Sequence, residues 1–275
     1  MASDSEEFLA QADKDLMRGI DYSVPHSARI WNYWLGGKDN FAIDQQAGDH
    51  YAALFPGIFD LAQAERAFLG RAIRYLVSEA GIRQFLDVGT GLPTEDNTHQ
   101  VAQTLAPDSR VVYVDNDPLV LAHANALLIS TPEGATDYID ADMRDPDRIL
   151  AQATGLLDFN QPVALLFMGV LGHITDHDEA RSIVSRLMDA LPPGSYLALN
   201  DGANTNEAFN RAQQSYDDTG AVPYRLRSSQ QITQFFDGLH VIEPGIVPIP
   251  LWRPDLGHPG APQAMDAVGG VGRKT

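Results

Sequence analysis

The chain contains no cysteine, which excludes disulfides, thiolate nucleophiles and cysteine-ligated zinc together. Lysine is nearly absent: Lys14, Lys38 and Lys274 are the only three, against a net charge of −18. Nucleic-acid binders draw most of their affinity from Lys and Arg that neutralise phosphates. No basic cluster offsets the acidity here, so no nucleic-acid partner is expected. Long hydrophobic runs are also missing. The longest, Val163 to Leu171, is far short of the ~20 residues a spanning helix needs, and no membrane partner is expected. Met1 to Glu7 is acidic and unlike the start of a signal peptide, so the expected location is the cytoplasm. The eight histidines are scattered without ligand spacing, and no metal site is expected.

What is present is a regular alternation. After a polar start with at most a short helix near Phe8 to Met17, Pro25 to Leu35 reads as a helix closed by Gly36-Gly37. Residues 38–57 read as loop and short helix. A long amphipathic helix follows, with Leu61, Phe68, Leu69, Ala72, Ile73, Leu76 and Val77 on one stripe and Gly81 at its end. From Ile82 on, strands are predicted near 83–88, 110–115, 136–140, 162–168 and 194–200. Helices are predicted near 95–106, 117–128, 145–154, 177–190, 205–216 and 229–236. Short, continuously apolar strands are what a parallel sheet covered on both faces requires. Leu239 to Glu243, Ile246 to Ile249 and Met265 to Val271 carry no helix between them and predict an antiparallel edge, with a Pro/Gly-rich loop over 253–263. The expected fold is α/β: a doubly wound, mostly parallel, seven-stranded sheet (residues 58–275) behind an N-terminal helical extension or lid (residues 1–57).

Three strand tips carry acids. Phe85-Leu86-Asp87-Val88-Gly89-Thr90-Gly91 runs from a strand into a glycine turn, Val111 to Val114 ends in Asp115, and Asp137 to Ile139 ends in Asp140-Ala141-Asp142. In open α/β sheets, glycines at the first turn let backbone approach a nucleoside, and the acid on the second tip accepts from ribose hydroxyls. The third glycine of the dinucleotide fingerprint is missing, since Leu92-Pro93-Thr94 follows Gly91. A phosphate-free ligand such as S-adenosylmethionine needs only the approach that Gly89 and Gly91 give. Asp87 would face its amino group, through water. Asp115, with Asn116 beside it, would take the ribose, while Asp117-Pro118 starts the next helix as N-cap and first residue. Asp142 either accepts from the adenine amino group, with Met143 on the ring, or caps its own loop. At the fourth tip the backbone carbonyls of Phe167 or Met168 suit an ammonium group. His173 is the histidine placed nearest a tip, either a general base or a packing residue.

The segment Ser27-Ala28-Arg29-Ile30-Trp31-Asn32-Tyr33-Trp34-Leu35-Gly36-Gly37-Lys38-Asp39-Asn40-Phe41 resembles the signature of an actinomycete family of S-adenosylmethionine-dependent methyltransferases. Ala64 to Leu69, Leu86 to Thr94, Phe235 to Leu239 and Gly270 to Arg273 match it in order. The resemblance implies a class I methyltransferase with a Rossmann-like sheet. Glu65 stands where the family usually has Asn, and Asn200-Asp201 where Ser-His is expected; both departures fall on the acceptor side. As a lid, the first segment would place Arg29 and Tyr33 on one helix face, four residues apart. Arg29 would pair with the methionine carboxylate, and Tyr33 would close over the sulfonium.

The function expected is methyl transfer to a small-molecule oxygen or nitrogen, with His173 and Tyr33 as catalytic candidates; the oligomeric state is left open. Displacement at a sulfonium methyl needs mainly alignment and exclusion of water, so a missing triad is no objection. A nicotinamide oxidoreductase is disfavoured by the missing third glycine and by the absence of any Tyr-x-x-x-Lys pair. A non-catalytic binder of the cofactor or another small ligand, acting as sensor or assembly partner, is the alternative that Glu65, Asn200 and Asp201 keep open.

Overall fold

The computed structural model describes residues 21, 23–94, 96–121, 129–255 and 263–275. The helix expected near Phe8 to Met17 lies outside the described residues, as does most of the 253–263 loop. Two helices precede the sheet: α1 (Ser27–Trp34) and α2 (Ala42–Leu54). The first is capped by His26, whose ring accepts from the Ala28 N–H, and closes as expected with the Gly37 N–H on the Asn32 carbonyl at 2.8 Å. The second is a thirteen-residue helix where loop and short helix were expected. Its buried stripe is Asp44, Gly48 and Tyr51, spaced i, i+4, i+7 but acidic, small and phenolic, so apolar periodicity does not reveal it.

The long helix is α3 (Ile58–Ser78), followed by β1 (Gln84–Val88), α4 (Thr98–Leu105) and β2 (Arg110–Asp115). A helix then begins at Pro118, with Asp117 accepting from the Leu119 N–H at 2.8 Å as its cap. Next come β3 (Ala135–Asp140), α5 (Pro146–Ala153), β4 (Ala164–Met168), α6 (His177–Asp189) and β5 (Tyr196–Gly202). The chain finishes with α7 (Glu207–Asp217), α8 (Ser229–Thr233), β6 (His240–Val241), β7 (Val247–Pro248) and β8 (Ala267–Arg273).

The sheet order is β3-β2-β1-β4-β5-β8-β6, with β7 also paired to β8. The pairs from β3 to β5 are parallel; β8 runs antiparallel to β5, β6 and β7. The sheet is thus mostly parallel, with a mixed edge. The two short strands flanking Pro244-Gly245 both pair with β8 rather than with each other. Strand parity sorts the core into two layers, since successive side chains point to opposite faces. Phe85, Val111, Leu166 and Ala198 enter one cluster with α1 and α3. Leu86, Val112, Leu165 and Leu197 enter the other with α5 and α6. The order reverses between β1 and β4, which opens a crevice at their carboxyl ends. Among the described residues no helix is long and apolar enough to cross a membrane, and no group of His, Asp and Glu is arranged to hold a metal.

Candidate active site

A cleft lies at that crevice. Asp87, Gly89, Gly91, Asp115, Asn116, Asp142, Met143, Met168 and His173 all line it. Gly89 is where β1 must turn: its φ is +73°, and a Cβ there would stand 2.3 Å from Val170 Cγ2, so only glycine fits. The turn brings the Gly91 N–H onto Asp115 Oδ2 at 2.8 Å, while Oδ1 accepts from the N–H groups of Asn116 (2.9 Å) and Asp117 (3.1 Å). Burial raises the Asp115 pKa, against those three backbone donors. Each carboxylate oxygen has further acceptor capacity toward the cleft, and a side chain on Gly91 would meet nothing within 4 Å. This is a fit for a ribose with two free hydroxyls.

Asp87 is buried. Burial pushes its pKa up to about 6, opposed by the Thr98 hydroxyl, which donates to Oδ2 at 2.6 Å, and by the Arg66 guanidinium. An acid and a base facing one cleft wall suit the zwitterionic end of an amino acid. Asp142 accepts from the Arg144 N–H at 2.8 Å and pairs at 3.5 Å with its guanidinium, so it shapes its own loop as well as lining the cleft. His173 has Nδ1 3.1 Å from the Pro223 carbonyl. A carbonyl only accepts, so Nδ1 carries the proton and Nε2 keeps its lone pair. Burial lowers the His173 pKa to about 4, and the ring is neutral near pH 7.

Of the two strand-tip residues offered for their backbone carbonyls, Met168 lines the cleft and Phe167 does not; the Phe167 side chain is fully buried in the core under α5 and α6. Two further expected site residues lie elsewhere. Arg29 is 3% exposed, with Nε 3.0 Å from Asp44 Oδ2 and Nη2 donating to the Val24 carbonyl at 2.7 Å. Tyr33 donates to Asp49 at 2.6 Å and packs on Phe59. The helix does cover the cleft, but through Ser27, Ala28, Trp31, Asn32 and Leu35. At about 100° per residue, Arg29 and Tyr33 lie some 200° round from Ser27 and Trp31, on the opposite face.

Arg29→Ala is therefore expected to loosen the N-terminal segment. Asp44 would keep the backbone donors of His26 and Phe41, both at 2.9 Å, so the loss should be about 1–3 kcal/mol. Urea denaturation measures it; a variant as stable as the wild type, with weakened cofactor binding, would return Arg29 to the site.

The sequence reading puts Glu65 on the acceptor side without a chemical role and misses its neighbour Arg66 on α3; both line the cleft. The signal was there. Leu61, Glu65, Phe68 and Ala72 form one row at helical spacing, and an acid inside an apolar row is the informative position. Glu65 is 8% exposed, and its carboxyl lies over Gly169 at the β4 tip, where φ is +63° and a Cβ would stand 2.6 Å from Oε2. Burial and the neighbouring Asp201 push its pKa up to about 8, opposed by the Asn200 amide. That amide is itself fully buried, and neither Nδ2 nor Oδ1 completes a well-aligned hydrogen bond.

Comparisons with known proteins bear on this arrangement. A family model described as S-adenosyl methyltransferase matches residues 13–275. A DUF574 family protein from Streptomyces avermitilis is 43% identical, with TM-score 0.88 over 93% of this chain and 99% of that one. A Thermobifida fusca structure carrying a provisional methyltransferase assignment is 39% identical, with TM-score 0.85 over 94% and 97%. An S-adenosylmethionine-dependent methyltransferase from Anabaena variabilis, 14% identical, has TM-score 0.50 over 77% and 85%, a likeness of fold alone. No curated protein matches the chain. With the matched family model and two relatives at this identity, the chain belongs to the S-adenosyl methyltransferase family and is an S-adenosylmethionine-dependent methyltransferase.

Proposed function

We propose that this enzyme transfers a methyl group to an oxygen or nitrogen of a small molecule, held beside the cofactor under α1. One observation carries the reading. The strand-tip cleft and a second, largely apolar pocket share Ser27, Trp31, Glu65 and His173 in their walls, so an acceptor reaching that wall would lie against the cofactor. Asp115 would accept from the ribose hydroxyls, with Asn116 at the edge of the sugar. Asp142 and Met143 would flank the base, and Asp87 and Arg66 would take the amino and carboxylate ends of the methionine moiety. The cofactor supplies an electrophilic methyl group. The protein's share is alignment, exclusion of water by α1, and a place for the acceptor's proton. Burial of the second pocket's walls by Trp34, Tyr51 and Phe209 disfavours a polymer and supports a small acceptor.

Calorimetry with S-adenosylhomocysteine and with NAD tests the cofactor assignment of this cleft. One S-adenosylhomocysteine per chain, and no NAD, is the expected result. Tighter binding of NAD would overturn it. Cofactor binding without methyl transfer to any of a broad panel of small alcohols, phenols and amines would favour the non-catalytic alternative instead.

A further inference from the structure

Glu65, Asp87, Asp115 and Asp142 bring acids to the cofactor cleft. Three of these have partners. Asp115 accepts from three backbone N–H groups, Asp87 from the Thr98 hydroxyl with Arg66 nearby, and Asp142 from the Arg144 N–H. Glu65 differs. Among the described residues no cation pairs with it, the charge beside it is the like charge of Asp201, and the Asn200 amide is poorly aligned. A carboxyl so buried and without a counter-charge is costly to ionise. In a cleft wall it marks a place for a cationic group of the ligand. The other assignments in the cleft say which group. With the ribose on Asp115 and the two ends of the methionine moiety on Asp87 and Arg66, the amino group already has its acid. The sulfonium, which joins ribose to methionine, is the cation still to be matched. Its methyl has to face the acceptor, and so the wall that the cleft shares with the second pocket. Glu65 stands in that wall, one residue before Arg66, with Oε2 over Gly169 at the β4 tip. β4 lies beside β1 in the sheet, so the carboxyl hangs over the tip adjacent to the one that carries Asp87.

Resting on the methyl-transfer reading, we propose that Glu65 is the counter-charge of the sulfonium and sets the preference of the site for S-adenosylmethionine over its neutral product, S-adenosylhomocysteine. The two ligands share their hydrogen-bonding groups and differ by one methyl and one charge. An opposite charge within about 4–6 Å favours the ionised carboxyl, and a neutral thioether does not. Burial and Asp201 hold the Glu65 pKa at about 8, and a sulfonium beside it brings the value down. Near pH 7 Glu65 therefore sheds its proton when S-adenosylmethionine binds and keeps it when S-adenosylhomocysteine binds. Methyl transfer reverses the change. The acceptor's oxygen or nitrogen forms its bond to the methyl carbon, and the electron pair of the broken carbon–sulfur bond stays on sulfur. The Glu65 carboxylate, its counter-charge gone, takes the proton that the acceptor sheds. The other groups around Glu65 do not mimic this response. His173, after β4, is neutral near pH 7. Tyr51 of α2, Tyr216 of α7 and Tyr224 keep their protons, burial raising the pKa of each. Asp201 of β5 is paired with Arg227, and Arg66, next on α3, is a guanidinium and stays charged. From α1 come Ser27, Trp31 and Asn32, which do not titrate, while His26 at its N-cap sits on Asp117 at the ribose end. Asp87 of β1 faces the amino group that both ligands carry, so its response cancels in their difference.

The test needs no turnover. Calorimetry in two buffers of different ionisation enthalpy counts the protons exchanged on binding. It is run between about pH 5.5 and about pH 7, below the ionisation of the ligands' own amino group at about 8. At about pH 7, S-adenosylmethionine should release more than about half a proton per chain beyond what S-adenosylhomocysteine releases. The affinity ratio should move toward S-adenosylmethionine by at least about threefold as the pH rises across this range, because only its complex gains the carboxylate there. Glu65→Gln keeps the shape and loses the charge, so it should show neither the extra proton nor the pH dependence. A ratio flat with pH in the wild type, or equal proton release for the two ligands, overturns the proposal and requires no variant. The same dependence in Glu65→Gln overturns it too, and gives the response to Asp87 or Asp201. The two readings separate cleanly: S-adenosylhomocysteine binding beside a flat ratio sinks only the role of Glu65, and S-adenosylhomocysteine failing to bind sinks the reading beneath it.

Discussion

Arg227→Ala should destabilise the enzyme by about 3–5 kcal/mol, the loss typical of breaking a buried ion pair from one side. Arg227 and Asp201 are both fully buried, with Nη1 3.0 Å from Asp201 Oδ2 and 2.9 Å from the Leu171 carbonyl. Nη2 donates to the Ile174 carbonyl, and the guanidinium lies 5.4 Å from the Phe235 centroid. Removing it takes the guanidinium donor from the Ile174 carbonyl, leaves the Leu171 carbonyl with only the Ile174 N–H, and leaves Asp201 with the Tyr224 hydroxyl and no cation. Asp201→Asn on top of Arg227→Ala should recover part of the loss, because the uncompensated charge is gone. Urea denaturation of the single and double variants reads both effects; a loss below about 1 kcal/mol would mean that the pair adds nothing over its desolvation cost. The pair also bears on function. Asp201 is a like charge beside Glu65, and Arg227 is the cation that opposes the effect of burial on Asp201.

The sheet was legible because its strands are short apolar runs whose alternate residues feed two cores, as Phe85 and Leu86 or Val111 and Val112 do. The strand-tip acids were legible for a related reason: an Asp that ends an apolar run stands at the carboxyl edge wherever the run is a parallel strand. Asp87, Asp115 and Asp142 all reach the cleft. The roles given to Arg29 and Tyr33 failed at a different level. Their helix is where the sequence places it, but the spacing of Arg29 and Tyr33 says only that they share a face, not which face meets the sheet. That choice is made by Asp44, a residue on another helix that takes Arg29 out of the cleft. The second pocket was illegible as a unit, since α1, α2 and α7 each give one or two rings to it and α3 gives Ile58, Leu61 and Glu65. No single helix carries its pattern.

Asp115→Ala tests the nucleoside end of the site. The variant removes both acceptors for the ribose diol, and bonds to a charged group contribute roughly 1.5–3 kcal/mol each. Cofactor affinity should therefore fall about a hundredfold, since two such bonds at the low end sum to about 3 kcal/mol. Stability should change far less, because the Asp115 carboxyl sits at a strand tip and its partners are backbone N–H groups at the cleft edge. Asp115→Asn separates two contributions. It keeps one acceptor oxygen of the same reach but loses the charge, so its affinity should lie between the wild type and Asp115→Ala. Calorimetry with S-adenosylhomocysteine gives the affinities. Adenine, which lacks the sugar, serves as control and should bind all three proteins alike. An equal loss for adenine would mean that the Gly89–Gly91 turn collapses without its anchor on Asp115, and an unchanged S-adenosylhomocysteine affinity would place the ribose elsewhere in the cleft.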